Sequence, residues 1–362
     1  MEEKRIQHPI VFRMNITPER ERLKELIQSQ SSLVQLNMIE SQIADWVKLN
    51  YPKEYSENRD ITKFIQGFKR DYPMETYGCW VYYPWKNTVV RTLSAKHFAD
   101  VRTARNKHKI KAKDQEKLSQ KCIGVVGLSV GNSIAQTLAL ERLFGTLRIA
   151  DFDELELTNM NRIISGIDQL GMPKTTIVSR AIAELDPFLT VKPYNEGINT
   201  DNIASFFEDE QQNQLDVIID ECDSIAVKIA LREEARKRRI PLIMQTSDRG
   251  LIDIERYDLN PQAPLFHGLL TTHEIDMIKE GTEGKALIAA VQKIIDPRTM
   301  SRGLKNSLSE IGKTITTWPQ LGSDVTFGGA VTAQITRDIL LGKSEISGRH
   351  FLEIDMSKYD RL

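Results

Sequence analysis

The clearest pattern of apolar and polar positions lies in the second quarter of the chain. An apolar run, Cys122–Val126, has the length and the β-branched content of a buried strand. Apolar residues recur at helical spacing over Asn132–Phe144, and a second apolar run, Leu147–Ala150, ends at Asp151. The pattern predicts a strand, a short turn, a helix and a second strand that ends in an acid.

The turn between the first strand and the helix contains three small residues, Gly127, Ser129 and Gly131. Glycines let phosphate groups approach the backbone, and a helix N-terminus supplies unpaired N–H groups. An acid at the end of the next strand, here Asp151, accepts hydrogen bonds from ribose hydroxyls. These residues therefore predict a nucleotide-binding unit.

Further apolar runs alternate with helical patterns along the next hundred residues. The predicted strands are 189–194, 215–220, 241–245 and 251–257, and the predicted helices are 171–185 and 224–239. Alternating strands and helices are typical of a parallel sheet. The sequence thus predicts an α/β, Rossmann-like nucleotide-binding fold with a mainly parallel central sheet and helices on both faces.

The two ends of the chain carry weaker patterns. Residues 1–100 predict an N-terminal α+β appendage, with helices at 18–29, 32–49 and 61–72 and strands around Pro84. Its aromatic residues could line a substrate or peptide-binding surface, although packing is their commoner use. Residues 101–362 predict one nucleotide-binding domain, with a nucleotide-binding core at 119–258 and a C-terminal excursion and closing helix at 259–362. The helices expected there are 273–279, 285–294, 304–311 and 330–341, the last preceded by a loop at 321–329.

Composition argues against several classes of protein. The net charge of −1 gives no general electrostatic case for binding nucleic acid or an acidic membrane. The three cysteines, Cys79, Cys122 and Cys222, form no CxxC pair, which favours a reducing cytosol over a disulfide framework. No apolar run approaches membrane-spanning length, and residues 1–10 lack the order of a signal peptide. We expect a soluble, cytoplasmic protein with no membrane partner.

Charged residues after Asp151 indicate which nucleotide binds. Arg162 and Lys174 follow that acid, and a second acidic cluster, 220–223, ends the predicted fourth strand. A dinucleotide needs little beyond the glycine turn and one acid, whereas fixed cations match a triphosphate. A carboxylate can hold Mg²⁺ together with phosphate oxygens and water. The residues therefore favour ATP with Mg²⁺ over NAD.

These motifs follow one another in an order that resembles a known family. They are Arg102-Thr-Ala-Arg105, Gly127-Leu-Ser-Val-Gly131, Asp151-Phe-Asp153, Asn159-Met-Asn-Arg162, Lys174 and Asp220-Glu-Cys-Asp223-Ser. In this order, over about a third of the chain, the sequence resembles the adenylating domain of the ThiF/MoeB/HesA family, relatives of ubiquitin-activating enzymes.

The resemblance implies an ATP-binding set in the first half of the motif region. Gly127, Ser129 and Gly131 would border the phosphates, with Ser129 in place of the family's middle glycine. Asp151 would hold the ribose, and Asp153 would belong to the same set.

The resemblance also implies the catalytic residues. Asn159, Arg162 and Lys174 would contact the phosphates, and Arg162 and Lys174 would stabilise charge as pyrophosphate leaves. Asp223 would bind Mg²⁺, and Arg105 would reach ATP from the partner subunit of a homodimer. The implied reaction is attack of a substrate carboxylate on the α-phosphorus, which gives an acyl-adenylate and pyrophosphate.

Several departures from the family pattern limit the cofactors and the reactions that we expect of this chain. The glycine turn is one residue short, and Ser224 stands where an asparagine is expected. Both CxxC zinc pairs are missing, so we predict no structural zinc. No cysteine follows Cys222, which favours adenylation with direct transfer, cyclisation or dehydration over a full ubiquitin-activating cycle. The expected substrate is the C-terminus of a peptide or small ubiquitin-like protein, and a tRNA carboxylate is a less favoured alternative.

Within the acidic cluster, we expect Asp220 to be structural, Glu221 to face solvent and Cys222 to be a small buried thiol rather than a nucleophile. Residues 314–318 are a candidate strap over the substrate tail, and His267 and His273 are expected to be packing or surface residues.

Two other functions remain open from the sequence. Gly127-Leu-Ser129-Val-Gly131 also spells the Gly-x-Ser-x-Gly elbow of α/β-hydrolases. A hydrolase would need a later acid, Asp248 or Asp253, and then a histidine, for which His267, His273 and His350 are available. Against it, Cys122–Val126 opens the predicted sheet, whereas the elbow should follow several strands. The third hypothesis is a non-catalytic nucleotide-binding partner subunit.

Overall fold

The computed structural model describes residues 8–281, 285–295 and 298–352. Contacts within the chain divide it into two compact units. The first unit runs to Gln115 and includes Ser179–Leu189, and the second comprises Glu116–Val178 and the chain from Thr190 onward. None of the described helices is long and apolar enough to cross a membrane.

The described part of the first unit contains a four-stranded sheet, five complete helices and parts of two helices that it shares with the second unit. Its strands are β1 (Ile10–Arg13), β2 (Val34–Asn37), β3 (Cys79–Tyr83) and β4 (Thr88–Thr92). Its helices are α1 (Thr17–Ser29), α2 (Ile39–Asn50), α3 (Pro52–Ser56), α4 (Thr62–Asp71) and α5 (Ala95–Arg102). The strand order is β1-β3-β4-β2, in which only the β2–β4 pair is parallel.

The predicted helix at 32–49 is wrong in its first half. Val34 and Leu36 lie in strand β2, where they pair in register with Thr88 and Val90 of β4, and helix α2 begins at Ile39. Their apolar spacing fits a helix as well as a strand, so the distant partner strand decides the outcome.

The first unit also extends beyond the predicted appendage, residues 1–100. Helix α5 continues to Arg102 and packs on α2. In the 179–189 segment of the same unit, the Ala183 carbonyl accepts a hydrogen bond from the Tyr83 hydroxyl at 3.2 Å. The Glu184 carboxylate accepts one from Trp85 Nε1 at 2.6 Å. Such long-range packing cannot be read from local composition.

The second unit is built on a seven-stranded sheet. Its strands are β5 (Cys122–Val126), β6 (Thr146–Ala150), β7 (Thr190–Tyr194), β8 (Val217–Asp220), β9 (Leu242–Gln245), β10 (Leu251–Glu255) and β11 (Gly348–Phe351). The strand order is β11-β10-β9-β8-β5-β6-β7. The five strands from β9 to β7 in this order are parallel, β10 is antiparallel to β9, and β11 is antiparallel to β10. The predicted mainly parallel sheet is therefore confirmed.

Helices connect these strands in the order expected for an α/β fold. Helix α6 (Ala112–Leu118) precedes β5. The helices that follow are α7 (Gly131–Glu141), α8 (Lys174–Leu185), α9 (Ile203–Phe207), α10 (Ile225–Arg238), α11 (Thr272–Lys279), α12 (Lys285–Ile295), α13 (Arg302–Leu308) and α14 (Gly322–Leu340). The loops after β5, β6, β8 and β9 all leave the carboxyl edge of the parallel sheet, where open α/β sheets bind ligands.

The loop predicted at 321–329 is helical. Helix α14 begins at Gly322 rather than at Ala330. Its two central glycines are sites of close packing, since a Cβ at Gly328 would lie 2.3 Å from Gln245 Nε2 and one at Gly329 would lie 2.5 Å from Ser133 Oγ. The glycines therefore let the helix approach its neighbours and do not interrupt it. Strand β11 was also absent from the sequence prediction because it forms by pairing with β10.

Helix α7 offers a matched test of the core beside the glycine turn. Leu138 is fully buried, whereas Leu140 on the same helix is 59% exposed. We expect Leu138→Ala to lower the free energy of unfolding by about 2–5 kcal/mol because it leaves a cavity. Leu140→Ala should change it by about 0.5 kcal/mol or less. Urea unfolding followed by circular dichroism measures both, and equal effects would contradict the packing described.

Candidate functional site

The candidate site begins with the carboxylate of Asp151, which follows β6. Its Oδ2 accepts a hydrogen bond from the Leu128 N–H at 2.6 Å, and its Oδ1 accepts one from the Asp153 N–H at 2.8 Å. The residue is 9% exposed, and burial raises the pKa of its carboxyl group. A carboxylate has about four acceptor positions, so two remain for a ligand. Asp151 therefore joins the glycine turn to the loop after β6, and its remaining acceptor positions suit hydroxyl groups.

The glycine turn runs beside the end of β8. Gly127 has φ +86°, and a Cβ on it would lie 2.4 Å from the carbonyl oxygen of Glu221. Gly131 opens helix α7, where a Cβ would lie 2.9 Å from Val125 Cγ1. Only glycine fits at Gly127, because both the backbone conformation and the close approach exclude a side chain. The turn thus presents backbone and a helix N-terminus at the edge of the sheet.

Two cations lie at this edge. Lys174 is the first residue of α8, and its Nζ is 2.7 Å from Asp153 Oδ2. The Lys174 side chain is only 6% exposed, whereas that of Asp153 is 51% exposed. Arg162 donates from Nε to Ser129 Oγ at 2.9 Å, so it reaches the glycine turn directly. The structure therefore brings together the cations and the turn that the sequence predicted as one site.

The charge of Arg162 is partly shielded from solvent. Burial lowers the pKa of its guanidinium, and the nearby Asp223 carboxylate opposes that effect. Arginine remains protonated in any case. Its Nη1 also donates to Asn161 Oδ1 at 2.9 Å and to the Thr158 carbonyl at 3.2 Å. These bonds hold the guanidinium in a fixed position without a carboxylate among its hydrogen-bond partners.

Asn159 has a local role in this structure. Its Oδ1 accepts a hydrogen bond from the Glu156 N–H at 3.0 Å and caps the short 3₁₀ turn Leu157–Asn159. The Ile163 N–H donates to its backbone carbonyl at 2.9 Å. Asn159 therefore shapes the loop that carries Arg162, and its predicted phosphate contact stays a prediction.

The acidic cluster divides into residues with different roles. Asp220 is fully buried, with Oδ2 2.6 Å from Arg232 Nη1 and Oδ1 3.1 Å from Lys228 Nζ. Burial acts to raise the pKa of Asp220, but the charges of Lys228 and Arg232 lower it. The expected structural role of Asp220 is therefore confirmed. Asp223 is exposed and lies in the loop between β8 and α10.

The expectation that Glu221 faces solvent is wrong. Its Oε1 accepts a hydrogen bond from the Gln245 N–H at 2.9 Å, and burial raises the pKa of its carboxyl group well above the usual value. Glu221 thereby ties the end of β8 to the end of β9, a contact that no local pattern in the sequence indicates.

The structure also reveals a pocket that sequence reasoning missed. Asp223 is among its lining residues, and its cavity volume is about 170 Å³. Its wall comes from the loop after β9, from α12 and α13, and from residues 318–320. The carbonyl of Gln320 accepts a hydrogen bond from Asn161 Nδ2 at 2.7 Å, which joins that last segment to the Arg162 loop. The predicted strap at 314–318 stays a prediction.

A metal ion at this site would need ligands beyond the protein. Over residues 8–281, 285–295 and 298–352, no three His, Cys, Asp or Glu side chains group together as a metal site. Asp223 supplies one exposed carboxylate. Mg²⁺ commonly uses one or two carboxylates with substrate phosphates and water, so this donor set fits Mg²⁺ bound together with a nucleotide.

Arg105 belongs to the first unit. It is exposed in the short 3₁₀ turn Ala104–Asn106. Arg102 of the same motif is 12% exposed at its side chain, and its Nε lies 3.8 Å from Asp186 Oδ2 within that unit. Arg102 is thus structural, and the role of Arg105 toward a partner subunit stays a prediction.

The hydrolase hypothesis finds no support at Ser129. Within the described part of the chain, Ser129 makes no hydrogen bond to a histidine, and its Oγ accepts from an arginine, which cannot act as a base. His267 Nε2 is instead 2.6 Å from Asp253 Oδ1, and His350 Nε2 is 3.0 Å from the Ser347 carbonyl. The Asp253 contact holds His267 as a paired, half-buried side chain.

Comparisons with known proteins show which family the chain resembles. The model of the ThiF family matches residues 103–297. An uncharacterized protein of Mycobacterium tuberculosis (strain CDC 1551 / Oshkosh) is 43% identical over 284 residues, which cover 78% of this chain and 39% of that protein.

Two further relatives carry functional names. A tRNA threonylcarbamoyladenosine dehydratase of Bacillus subtilis (strain 168) is 29% identical over 158 residues, covering 43% of this chain and 60% of the relative. A molybdopterin-synthase adenylyltransferase of Haemophilus influenzae (strain ATCC 51907 / DSM 11121 / KW20 / Rd) is 25% identical over 157 residues, covering 43% of this chain and 62% of the relative. The chain therefore spans about two fifths to three fifths of the length of these curated relatives.

Cys222 provides a test of the site's electrostatics. Its thiol donates to Asp220 Oδ1 at 3.0 Å, and burial together with that carboxylate raises its pKa well above the usual value. A raised pKa means a smaller thiolate fraction at neutral pH, and the thiolate is the reactive form. The rate of Cys222 alkylation by iodoacetamide should therefore keep rising beyond about pH 9 in the native protein. Peptide mass spectrometry measures this rate.

The control is the same peptide in urea-unfolded protein, where the rate should level off near about pH 8.5 to 9. A plateau below pH 8 in the native protein would mean an activated cysteine and would contradict the structural role assigned to this thiol.

Proposed function

Because the chain belongs to the ThiF family, we propose that it is an ATP-dependent adenylyltransferase that converts a carboxylate into an acyl-adenylate and releases pyrophosphate. The observation that carries this proposal is the convergence of the glycine turn, the Asp151 carboxylate and the two cations Arg162 and Lys174 at one sheet edge. A binding site for a nucleoside triphosphate requires these groups together.

ATP would lie along the ends of β5 and β6. The ribose hydroxyls would donate to the acceptor positions that Asp151 keeps after its bonds with Leu128 and Asp153. The phosphates would approach the turn at Gly127 and the N-terminus of α7 at Gly131, where no side chain intervenes and the helix dipole favours negative charge. Ser129 would border the same phosphates.

The two cations supply the electrostatic stabilisation. Lys174 pairs with the exposed carboxylate of Asp153, and Arg162 bonds a neutral serine hydroxyl. A triphosphate offers both side chains a stronger partner, because charge-assisted hydrogen bonds exceed neutral ones. In a partly buried site such contacts are worth more than in water. They would stabilise the charge that develops on the leaving pyrophosphate.

Asp223 would hold Mg²⁺ together with phosphate oxygens, because its carboxylate is exposed and borders the pocket. The metal would neutralise phosphate charge when bound.

The proposed reaction needs no general base. The substrate carboxylate is already an anion, and one of its oxygens attacks the α-phosphorus. A new carboxyl O–P bond forms, the bond between the α-phosphorus and the bridging oxygen breaks, and the electron pair leaves with pyrophosphate. Positioning and charge stabilisation are then the main contributions of the protein.

The proposal extends to partners. We propose a homodimer in which Arg105, exposed in its own subunit and within the family match, reaches ATP of the other subunit. The substrate would be a peptide or small ubiquitin-like protein with an activated C-terminus. The relative named as a tRNA dehydratase keeps a tRNA carboxylate as a second substrate class to test.

A non-catalytic nucleotide-binding subunit is the weaker hypothesis. Binding alone would need the turn and Asp151, whereas Arg162, Lys174 and Asp223 add three charges around the position expected for the phosphates. A protein that only bound the nucleotide would have little need of all three.

ATP–pyrophosphate exchange tests the proposed reaction. We expect Mg²⁺-dependent exchange in the presence of a small-peptide extract, and a loss of about 10²-fold in the variant Asp223→Asn, comparable to removing one stabilising group from a transition state. The matched control is Asp71→Asn, an exposed aspartate at the C-terminal end of α4 in the first unit, which should keep full exchange.

Calorimetric titration with ATP accompanies the exchange assay. Exchange that Asp223→Asn leaves unchanged would refute the role of Asp223. A wild-type protein that neither binds ATP nor exchanges pyrophosphate in any fraction would refute the adenylation proposal.

A further inference from the structure

The pocket beside Asp223 extends the candidate site along the carboxyl edge of the sheet, from the ends of β5 and β6 to the ends of β8 and β9. In the strand order β9-β8-β5-β6, Asp151 lies at the end of β6, whereas the pocket lies at the ends of β8 and β9. Asp223 lines the pocket and interacts electrostatically with Arg162. A ligand could therefore span the edge, with its nucleotide part at β5 and β6 and a second part in the pocket.

The inner wall of this pocket is apolar. Met244, Leu251, Ile294 and Met300 line it and are each less than 10% exposed. Trp318 borders it with 37% of its surface exposed. Apolar side chains around an open space favour an apolar occupant, because burial of its CH₂ groups away from water stabilises the complex.

The charged residues of the pocket argue against an anionic occupant. Three acids, Glu221, Asp223 and Asp248, contribute to its lining. Among the described residues that line it, Lys228 is the one cation, and its Nζ is 3.1 Å from Asp220 Oδ1. A second carboxylate or a phosphate inside the pocket would meet repulsion, so the single carboxylate of a substrate belongs at the Arg162 end.

One polar group in the pocket lacks a partner. Gln245 is 4% exposed, and within the described residues its Oε1 accepts no hydrogen bond. A buried acceptor without a donor is destabilising, and a ligand N–H that reached it would recover this cost. The pocket thus combines an apolar wall with polar groups, namely the three acids and this amide.

Resting on the adenylating function proposed above, we infer that the substrate is a monocarboxylate with a bulky apolar group beside its carboxylate, and that this group occupies the pocket. The same chemistry is found in a peptide that ends in an apolar residue and in a free aliphatic or aromatic acid. A chain ending in glycine would leave the apolar wall without contacts, so the pocket discriminates against it.

The test compares matched carboxylates in ATP–pyrophosphate exchange. The probes are the tripeptides Ala-Gly-Phe and Ala-Gly-Gly for a peptide source, and 3-phenylpropionate and acetate for a free acid. We expect the apolar member of at least one pair to have a kcat/KM about 10-fold or more above its partner. The pair in which the apolar member is preferred shows whether the substrate is a peptide or a free acid.

A charge in the pocket should remove this preference. Leu304 is half-buried on α13 and lines the pocket. Leu304→Asp should lower the kcat/KM for the apolar probe about 10-fold or more, with ATP affinity unchanged. The control Leu259→Asp makes the same substitution at a residue that is 54% exposed outside the pocket, and it should change neither quantity.

Calorimetry separates this inference from the function on which it rests. Equal use of both members in each of the two pairs, no effect of Leu304→Asp, or displacement of 3-phenylpropionate by ATP would overturn the inference and leave adenylation intact. Binding of ATP with neither binding nor exchange of any apolar probe would also overturn it. Apolar probes that bind, weaken in Leu304→Asp and never support exchange would uphold the pocket and refute adenylation.

Discussion

The second unit depends on the hydrogen bonds that the buried carboxylate of Asp151 accepts. Through the backbone of Leu128 it fixes the glycine turn after β5, and through the backbone of Asp153 it fixes the loop after β6. Charge-assisted bonds of this kind are stronger than neutral ones, and burial raises the cost of losing either. Because Asp153 then meets Lys174, one carboxylate aligns the turn, the loop and the first residue of α8.

The same arrangement explains how Lys174 and Arg162 are held in fixed positions at the carboxyl edge of the sheet. The partly exposed Asp153 offsets the charge of the buried Lys174 without enclosing it. Arg162 uses neutral oxygens from Ser129, Asn161 and Thr158, which orient it without neutralising it. Ser129, a departure from the family's glycine, thus positions a cation. These contacts hold both cations in fixed positions at the edge of the sheet, which would reduce the reorganisation needed for the proposed reaction.

Much of the candidate nucleotide site could be predicted from the sequence because its residues lie close together along the chain. The strand at Cys122–Val126, the turn, the helix and the acid lie within thirty residues and carry their own periodicity. The pocket could not be predicted, since Asp223, Met244, Ile294 and Trp318 come from four distant segments. Glu221 was assigned to solvent because its partner, the Gln245 N–H, belongs to another strand. The start of α14 was missed because glycines that serve close packing look like loop residues.

The most direct test of the central claim is a crystal structure of the protein with Mg²⁺ and a non-hydrolysable ATP analogue. The account predicts ribose hydroxyls on the Asp151 carboxylate, phosphates at the turn between Gly127 and Gly131, and contacts from Arg162 and Lys174 to those phosphates. It also predicts that the pocket behind Asp223 remains open. A nucleotide bound with its base in that pocket, or bound away from Asp151, would contradict the account.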